Sequence, residues 1–225
     1  MKRFYSLLLL LVLVSPLLAQ DWNKQALSCF KEGNSLYSKG DYDAAISEYT
    51  EVIRLEPRYT DAYYNRGLSY HYKKDRNLDL AISDYTQALR FKPDYAAAYR
   101  QRGKAFYDKG DYNSAIADYL QLIRLLPGDA DAYDSRGDAY RAKKDYDSAI
   151  ADYTQALRIK PDNSASLQSR GGVYKEKKDY ASAIADFSQL IKIKPDYIGG
   201  YKDRASVYEA KKDYVSAEAD LTQVI

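Results

Sequence analysis

The sequence holds very few of the residues from which catalytic and metal sites are usually built. Its 225 residues include one cysteine, Cys29, one histidine, His71, and one tryptophan. A single cysteine excludes an internal disulfide. With one histidine, histidine-based metal clusters and catalytic triads lack the parts that they need. We therefore expect a chain that is not an enzyme and binds neither a metal nor a cofactor, with Cys29 a buried structural thiol rather than a nucleophile.

An excess of charge of one sign is also missing. The formal net charge of +2 comes from Lys2 and Arg3, and the remaining 32 basic residues are balanced by 32 acidic ones. Nucleic acids and anionic membrane surfaces attract proteins with a net basic surface. The charge balance therefore argues against both partners.

Long apolar runs are confined to the beginning of the chain. Lys2 and Arg3 precede the run Leu7–Val14, which Ser15 and Pro16 interrupt before Ala19. This layout predicts a secretory signal peptide over residues 1–19, and hence export to the periplasm or the extracellular space. The alternative is an uncleaved membrane anchor, but the 16 residues from Phe4 to Ala19 are fewer than the ~20 that span a bilayer. We expect no membrane insertion of the mature chain.

What the sequence does have is repetition. Shifted by 34 residues, the segment 136–161, RGDAYRAKKDYDSAIADYTQALRIKP, falls on 170–195, RGGVYKEKKDYASAIADFSQLIKIKP. Prolines recur in the same phase, at positions 57, 93, 127, 161 and 195. The interval from Pro57 to Pro93 is two residues longer, and the extra residues lie within 73–79. Such a period indicates an array of stacked supersecondary units.

Each unit reads as two helices joined by a turn. Apolar residues recur at helical spacing in both halves, as in Tyr146, Ile150, Tyr153 and Leu157 of the second half. An aspartate suited to cap the second helix precedes it at positions 41, 111, 145, 179 and 213. A proline ends that helix. The stripe Tyr49, Tyr85, Tyr119, Tyr153 and Phe187 is expected to lie in the core.

Small residues recur at facing positions of the two helices. Glycine stands in the first helix at 33, 67, 103, 137 and 171, and alanine in the second at 45, 81, 115, 149, 183 and 217. Glycine inside a helix costs ~1 kcal/mol relative to alanine. The repeated cost predicts that the two helix backbones approach closely there.

This 34-residue unit resembles the tetratricopeptide repeat. In one unit the resemblance is carried by Tyr133, Gly137, Tyr140, Ala149, Tyr153 and Pro161. It implies an all-α fold, a right-handed α-solenoid of six helix–turn–helix repeats over residues 24–225. The repeat bounds are expected near 26–59, 60–95, 96–129, 130–163, 164–197 and 198–225. Tyrosine replaces the tryptophan of the family pattern, and arginine replaces the leucine before the glycine.

The arginine before each glycine has a regularly placed acid to pair with. Pairing each acid with the arginine of the following repeat gives one constant separation of 18 residues. We therefore predict ion pairs between repeats, which would set the stacking register more than the stability. The pairs are Glu48–Arg66, Asp84–Arg102, Asp118–Arg136, Asp152–Arg170 and Asp186–Arg204.

In the tetratricopeptide family the first helices line a concave groove that binds peptides. Carried over position by position, the resemblance implies that a peptide binds in the first three repeats, where aromatic and basic residues gather. The candidate site residues are Phe30, Asn34, Tyr37, Tyr64, Asn65, His71, Arg100, Gln101, Lys104 and Tyr107. The lining then becomes acidic, with Asp131, Asp134 and Asp138, and later small and mixed, with Gly172 among others.

The function expected from these features is that of an exported, non-enzymatic scaffold that binds a peptide or protein segment in its groove. Two alternatives remain open. The aromatic residues could be scattered surface residues of a spacer. The chain could instead be a structural element of the cell envelope that self-associates end to end, as a homo-oligomer through its C-terminal end.

Overall fold

The computed structural model describes residues 16–223 of the chain, with side chains from Asp21 onward. The predicted signal peptide therefore lies mostly outside the described residues, as do Val224 and Ile225. Within the described range the chain forms helices and no strand, which confirms the all-α class. The helices are α1 (Pro16–Ser38), α2 (Tyr42–Leu55), α3 (Thr60–Tyr72), α4 (Leu78–Phe91), α5 (Ala96–Asp108), α6 (Tyr112–Leu125), α7 (Ala130–Ala142), α8 (Tyr146–Ile159), α9 (Ser164–Glu176), α10 (Tyr180–Ile193), α11 (Ile198–Ala210) and α12 (Tyr214–Thr222).

The chain divides into two compact units at Asn77 and Leu78. The division falls inside the predicted repeat 60–95, at the loop between α3 and α4 that carries the inserted residues. The first unit contains α1, α2 and α3, and the second contains α4 to α12.

The second helix begins at the predicted cap in the five repeats for which a cap was predicted. The Asp41 carboxylate accepts a hydrogen bond from the Ala44 backbone N–H at 3.1 Å, and Asp111 accepts one from Ser114 in the same way. Asp145, Asp179 and Asp213 repeat the arrangement. Each bond satisfies one of the backbone N–H groups that a helix leaves unpaired at its start. The predicted caps are therefore confirmed.

The turn between the two helices is a Schellman motif in every repeat except the second, which carries the insertion. In the turn after α7, the Asp145 N–H donates to the Tyr140 carbonyl at 2.9 Å, and the Lys144 N–H donates to the Arg141 carbonyl at 2.8 Å. This geometry requires a left-handed residue. Gly40 and Gly110 fill it with φ of 80° and 82°, whereas Lys144, Lys178 and Lys212 fill it with φ of 63°.

Aromatic rings occupy the core of each hairpin, as predicted: Tyr49, Tyr85, Tyr119, Tyr153 and Phe187 are at most 4% exposed. The glycines of the first helices have a packing role. A Cβ atom on Gly137 would lie 2.8 Å from Cε1 of Tyr153. Gly33, Gly103 and Gly171 face Tyr49, Tyr119 and Phe187 in the same way. Each of these glycines therefore makes room for a ring of the second helix, and the close approach of the two helix backbones stays a prediction.

Within each unit, consecutive helices pack against one another, as α1, α2 and α3 do in the first unit. In the second unit the first helices of successive repeats also contact each other, in the pairs α5–α7, α7–α9 and α9–α11. Among the described residues of this unit the second helices make no corresponding contact. The first helices therefore lie on the inner side of the stack, which agrees with the α-solenoid prediction.

The predicted ion pairs between repeats are wrong in their pairing. Arg136 binds Asp152, with Nε to Oδ2 at 2.8 Å and Nη2 to Oδ1 at 2.7 Å. Both residues belong to one repeat, 16 residues apart. The same bidentate pair recurs as Arg102–Asp118, Arg170–Asp186 and Arg204–Asp220. A constant separation along the chain was a poor criterion, because the chain between two paired residues includes a loop whose length can change without moving either residue.

The same arginines nevertheless join neighbouring repeats. Nη1 of Arg102 donates to the Thr86 hydroxyl of the preceding repeat at 3.0 Å, and Arg170 donates to Thr154 at 2.9 Å. A second series of contacts joins a lysine at the end of one first helix to the preceding second helix. Lys143 donates to Asn113 at 2.6 Å, and its equivalents are Lys73–Asp43, Lys109–Asp79 and Lys177–Asp147. Polar register contacts between repeats therefore exist, at positions other than those predicted.

Candidate binding trough

Three adjoining cavities run along the first-helix face of the second unit. We call them the Lys104 pocket, the Tyr146 pocket and the Gly172 pocket, with volumes of about 410, 260 and 520 Å³. The first two share Tyr107 and Asp138, and the last two share Arg141 and Glu176. Because neighbouring pockets share lining residues, the three form a row along one face of the second unit, and we call this row the trough.

The Lys104 pocket brings together four of the predicted site residues, Arg100, Gln101, Lys104 and Tyr107. Three of them come from the inner face of α5, since they are spaced by three or four residues along one helix. Arg100 forms an ion pair with Asp129, the residue that caps α7. These predicted residues therefore line one pocket.

The floor of this pocket differs from that of the next repeat in its hydrogen bonding. In the next repeat the Tyr153 hydroxyl donates to Oδ1 of Asp138 at 2.7 Å. The residue at the corresponding position before Tyr119 is Lys104, whose ammonium group can only donate. Burial, with Asp108 and Asp138 nearby, raises the pKa of Tyr119. Tyr119 is therefore a neutral hydroxyl at the bottom of the pocket, next to a lysine.

Acidic residues of α7 supply the middle of the trough. Burial raises the pKa of Asp138, although the Tyr153 hydroxyl and Arg141 favour its ionised form. Burial also raises the pKa of Asp134, which accepts hydrogen bonds from the Ser166 hydroxyl at 2.6 Å and from the Asn163 amide at 2.7 Å. Asp134 therefore links two first helices, while Asp138 remains in the wall of two pockets.

Side chains from α9 and α11 close the far end of the trough. The Gln168 amide donates to Asp203 at 2.7 Å, and Lys175 donates to the Ser206 hydroxyl at 2.9 Å. The Arg141 guanidinium donates to Oε1 of Glu176 at 2.8 and 3.3 Å. These bonds hold the polar walls of the Gly172 pocket in place before any ligand arrives.

The Gly172 pocket is the largest of the three, and it was not among the candidate sites. Sequence reasoning favoured aromatic and basic residues and passed over the small ones. The sequence does contain an indication of this pocket, because two positions of the fifth hairpin differ together from those of the other hairpins. Gly172 stands where the other hairpins have a side chain, as Asp138 does, and Phe187 replaces the tyrosine that would need an acceptor.

The predicted residues of the first unit lie in two groups. Phe30 packs against Tyr49 and Tyr59, with ring centroids 5.9 and 4.9 Å apart, so its ring belongs to the apolar cluster of the first hairpin. Oδ1 of Asn34 accepts from both the Tyr49 hydroxyl and the Asn65 amide at 2.8 Å. These two asparagines join the first helices of the first two repeats.

Tyr37, Tyr64 and His71 form the second group. Burial raises the pKa of Tyr37 to about 12, with further contributions from the nearby rings of Tyr42 and Tyr64. The Tyr37 ring packs edge-on against Tyr42 at 5.3 Å. His71 is 1% exposed and stacks on Tyr72, with ring centroids 4.9 Å apart. The His71 side chain therefore lies inside the protein and is not offered to a ligand from solution.

Cys29 was expected to be a buried structural thiol, and the structure shows it partly buried and packed against the apolar cluster of the first hairpin. Burial raises its pKa, and a hydrogen bond to Glu48 acts in the same direction. The group is thus held as a thiol. In the part of the chain that the structure describes, no cluster of three potential metal ligands occurs. Among residues 16–223 no helix has the length and apolar character needed to cross a bilayer.

Comparison with curated protein sequences finds no match. Solved structures do match. The crystal structure of MamA protein is 25% identical with a TM-score of 0.72, and the match covers 77% of this chain and 93% of that one. A tetratricopeptide repeat protein from Parabacteroides merdae is 22% identical with a TM-score of 0.78, covering 89% of this chain and 79% of the other.

A third similar structure is YrrB, described as a TPR protein with an unusual peptide-binding site. It is 20% identical with a TM-score of 0.70, over 86% of this chain and 96% of YrrB. At these identities, the likeness to YrrB and to the Parabacteroides protein shows the fold alone.

Two family profiles match most of the repeat region. A profile described as TPR repeat matches residues 33–74 and 77–110, and a profile described as Tetratricopeptide repeat matches residues 100–164 and 135–198. Tetratricopeptide proteins are generally non-catalytic scaffolds for protein–protein interaction. The helix pairs, the glycines that face the rings of Tyr49, Tyr119, Tyr153 and Phe187, and the profile matches lead to one conclusion: this chain belongs to the tetratricopeptide-repeat family.

Proposed function

We propose that this protein is an exported, non-enzymatic scaffold that binds an extended peptide or protein segment along the trough of its second unit. The observation that carries the proposal is the row of three adjoining pockets from Arg100 to Ser206, each of which shares lining residues with the next. An extended chain presents a side chain every few ångströms, and a row of connected pockets suits such a ligand.

The lining suits a peptide better than a single small molecule. The trough offers the aromatic ring of Tyr107 together with Lys104, Asp138 and Arg141, so that both signs of charge are present. Apolar anchors supply affinity, and charges set the register of a bound segment. Since many of the wall side chains are already bonded to each other, binding costs little ordering of the protein.

Export is proposed from the layout of residues 1–19, with a periplasmic or extracellular destination. The amino-terminal sequence of the protein isolated from its native cells tests it. A mature chain that begins close to residue 20 supports export, whereas an intact Met1 in a cytoplasmic fraction contradicts it.

A site-specific cross-link tests the binding function. A photoreactive amino acid replaces Ser135 inside the Lys104 pocket, and in a matched control it replaces the exposed Lys160 outside the trough. We expect one defined partner segment to be cross-linked from position 135 in native cells, and its yield to fall in the Lys104→Glu variant. Equal adducts from both positions, or no effect of the charge reversal, would contradict the proposal.

Self-association is the second candidate function. On α12 the side chains of Tyr214 and Val215 are 66% and 81% exposed, which is unusual for such apolar residues. If this face joins copies of the chain, the wild-type protein should form oligomers at micromolar concentration, and Val215→Asp should return it to a monomer. Analytical ultracentrifugation distinguishes the oligomer from the monomer. A wild-type protein that is monomeric at all concentrations would exclude self-association as a function.

A further inference from the structure

Gly172 occupies a helical position where glycine lowers the stability of the helix and is not required for packing within its own hairpin. It lies inside α9, where glycine is less favourable than alanine by about 1 kcal/mol. Its neighbour Gly171 is needed, because a Cβ atom there would lie 2.9 Å from the Phe187 ring. A Cβ atom on Gly172 would meet only Arg141, at an ordinary 3.6 Å. Packing therefore explains Gly171 but leaves Gly172 unexplained.

The aromatic residue that faces this position also differs in the fifth hairpin, where Phe187 replaces a tyrosine. In the first hairpin the Tyr49 hydroxyl donates to Asn34, and in the fourth the Tyr153 hydroxyl donates to Asp138, so a polar side chain covers the ring. In the fifth hairpin Phe187 has no hydroxyl and Gly172 has no side chain. The paired replacement leaves no buried polar group unsatisfied, and it opens the Gly172 pocket above the ring.

The walls of the pocket are suited to an aromatic ring. Arg141 lies beside the open space, and its guanidinium is held by Glu176. A fixed guanidinium offers a flat cationic surface for stacking, and the Phe187 ring below favours edge contacts with another ring. The volume of about 520 Å³ admits a side chain as large as indole.

We propose that the Gly172 pocket receives an aromatic side chain of the bound segment, which stacks against Arg141 above Phe187. This inference rests on the proposed peptide-binding function and names the chemistry of the partner: an extended segment with a tryptophan, tyrosine or phenylalanine at this point. The trough continues from the pocket past Arg141 and Asp138, so the residues that flank the aromatic one have a surface to follow.

The test uses the full chain and four capped peptides, acetyl-Gly-Ser-Gly-X-Gly-Ser-Gly-amide, with X as Trp, Tyr, Leu or Ala. Backbone amide shifts are followed by NMR during titration. We expect saturable shifts at Gln168, Gly172 and Lys175 with the Trp and Tyr peptides, weaker ones with Leu, and none with Ala. The Gly172→Asn variant, which fills the pocket as Asn34 does in the first hairpin, should weaken the Trp peptide about tenfold or more.

Two controls separate binding from folding. Ala181→Asn places the same side chain on an exposed position of α10 in the same repeat, and binding should not change. Gly172→Ala should raise the melting temperature, because alanine favours the helix, and should still weaken the Trp peptide. If both Gly172 variants bind the Trp peptide as the wild type does, the inference is overturned.

The outcomes distinguish the pocket from the trough. If all four peptides shift residues between Arg100 and Asp138 and leave Gly172 unchanged, the aromatic pocket is overturned while peptide binding stands. If no peptide binds but N-acetyl-tryptophanamide shifts Gly172, the pocket holds a free aromatic molecule, so the proposed peptide partner is overturned and the aromatic site is supported. If neither peptide nor amide produces a shift, both proposals fail.

Discussion

At the scale of single residues, the buried arginine–aspartate pair is the most consequential polar contact. Asp152 has a side chain 7% exposed and Arg136 one 16% exposed, and the guanidinium lies 5.8 Å from the centroid of the Tyr133 ring. Because the pair is bidentate and largely removed from water, loss of one partner leaves a charge without compensation. The exposed lysine contacts between repeats do not carry this penalty.

We expect Asp152→Asn to lower the free energy of unfolding by about 2 kcal/mol, because Arg136 would keep its charge but lose the carboxylate. Asp147→Asn is the matched control on the same helix, since Asp147 binds Lys177 but is 87% exposed, and its change should be within about 0.5 kcal/mol. Urea unfolding measures both. Equal losses in the two variants would show that burial does not matter at this pair.

A second residue-scale prediction concerns Asp138 and pH. Burial raises its pKa in the folded protein, so the folded state takes up a proton at a higher pH than the unfolded state does. The stability that this group contributes is complete below the ordinary aspartate pKa of about 4 and is lost as the pH rises through the raised pKa. At pH 7 the ionised group therefore costs stability.

The Asp138→Asn variant should thus be more stable than wild type at pH 7, since the amide oxygen still accepts from Tyr153, as Asn34 does from Tyr49. The difference should shrink as the pH falls towards 4. Urea unfolding across this range measures it, with Asp131→Asn, an exposed site on α7, as the control. A gain that is independent of pH would mean that the charge of Asp138 is not its cause.

At the scale of single elements, three turns within the repeats hold a lysine in the left-handed backbone conformation, a strain that a substitution could remove. Lys177 ends α9 with a φ of −76°, and Lys178 follows it in the left-handed region with a φ of 63°. A left-handed conformation costs a residue with a Cβ atom about 1 kcal/mol, and glycine avoids that cost. Gly40 and Gly110 show the preferred residue in two other turns.

Lys178→Gly should therefore raise the free energy of unfolding by about 0.5–1 kcal/mol. The adjacent Lys177→Gly should lower it by a similar amount, because that residue is helical and also binds Asp147. Thermal unfolding of the two variants provides the comparison. The same sign of change at both positions would contradict the assignment of strain to φ.

The helices and their caps were the part of the structure that the sequence predicted best. Caps such as Asp145 and the ends of the second helices depend on residues within one turn, so their chemistry can be read locally. Pairings such as Arg136–Asp152 depend on which helices face one another. A pairing within each repeat was also available, with a separation of 16 residues except in the repeat that carries the insertion, and the sequence offered no physical means of choosing between the two pairings.

At the scale of the whole molecule, the division between the two compact units falls at the inserted loop between Tyr72 and Leu78. This loop contains Lys74 and Arg76, both exposed, outside any helix. The turn after α7 also contains two lysines, Lys143 and Lys144, but the hydrogen bonds of its Schellman motif close it. The inserted loop is longer and is closed by one backbone hydrogen bond, from the Asn77 N–H to the Tyr70 carbonyl at 3.0 Å. Long, exposed loops are the preferred sites of proteolysis.

Limited digestion with trypsin should therefore cut first after Lys74 or Arg76 and leave a resistant fragment that begins near Leu78. Mass spectrometry of the early fragments tests this, with the Lys144 turn as the internal control. Initial cleavage at Lys143 or Lys144 would show that the tight turns open more readily than the inserted loop.

The candidate trough was predicted less completely than the fold. Arg100, Gln101, Lys104 and Tyr107 lie together in the Lys104 pocket, because residues three or four apart on one helix share a face. His71 and Phe30 have helical positions of the same kind, but their rings turn towards other aromatic residues. The Gly172 pocket was missed because the missing side chain of a glycine creates it, whereas the candidate residues were chosen for their aromatic and charged side chains.

The lysine contacts between repeats have a consequence for how the protein can be rebuilt. Each of Lys109, Lys143 and Lys177 reaches an acceptor on the hairpin before it, 30 residues back. Removing residues 130–163 as one cassette would bring Lys177 to Asn113, an acceptor that Lys143 already uses. Arrays shortened or lengthened by one such cassette should keep the lysine contacts between neighbouring repeats. The length of the array could therefore be changed one hairpin at a time.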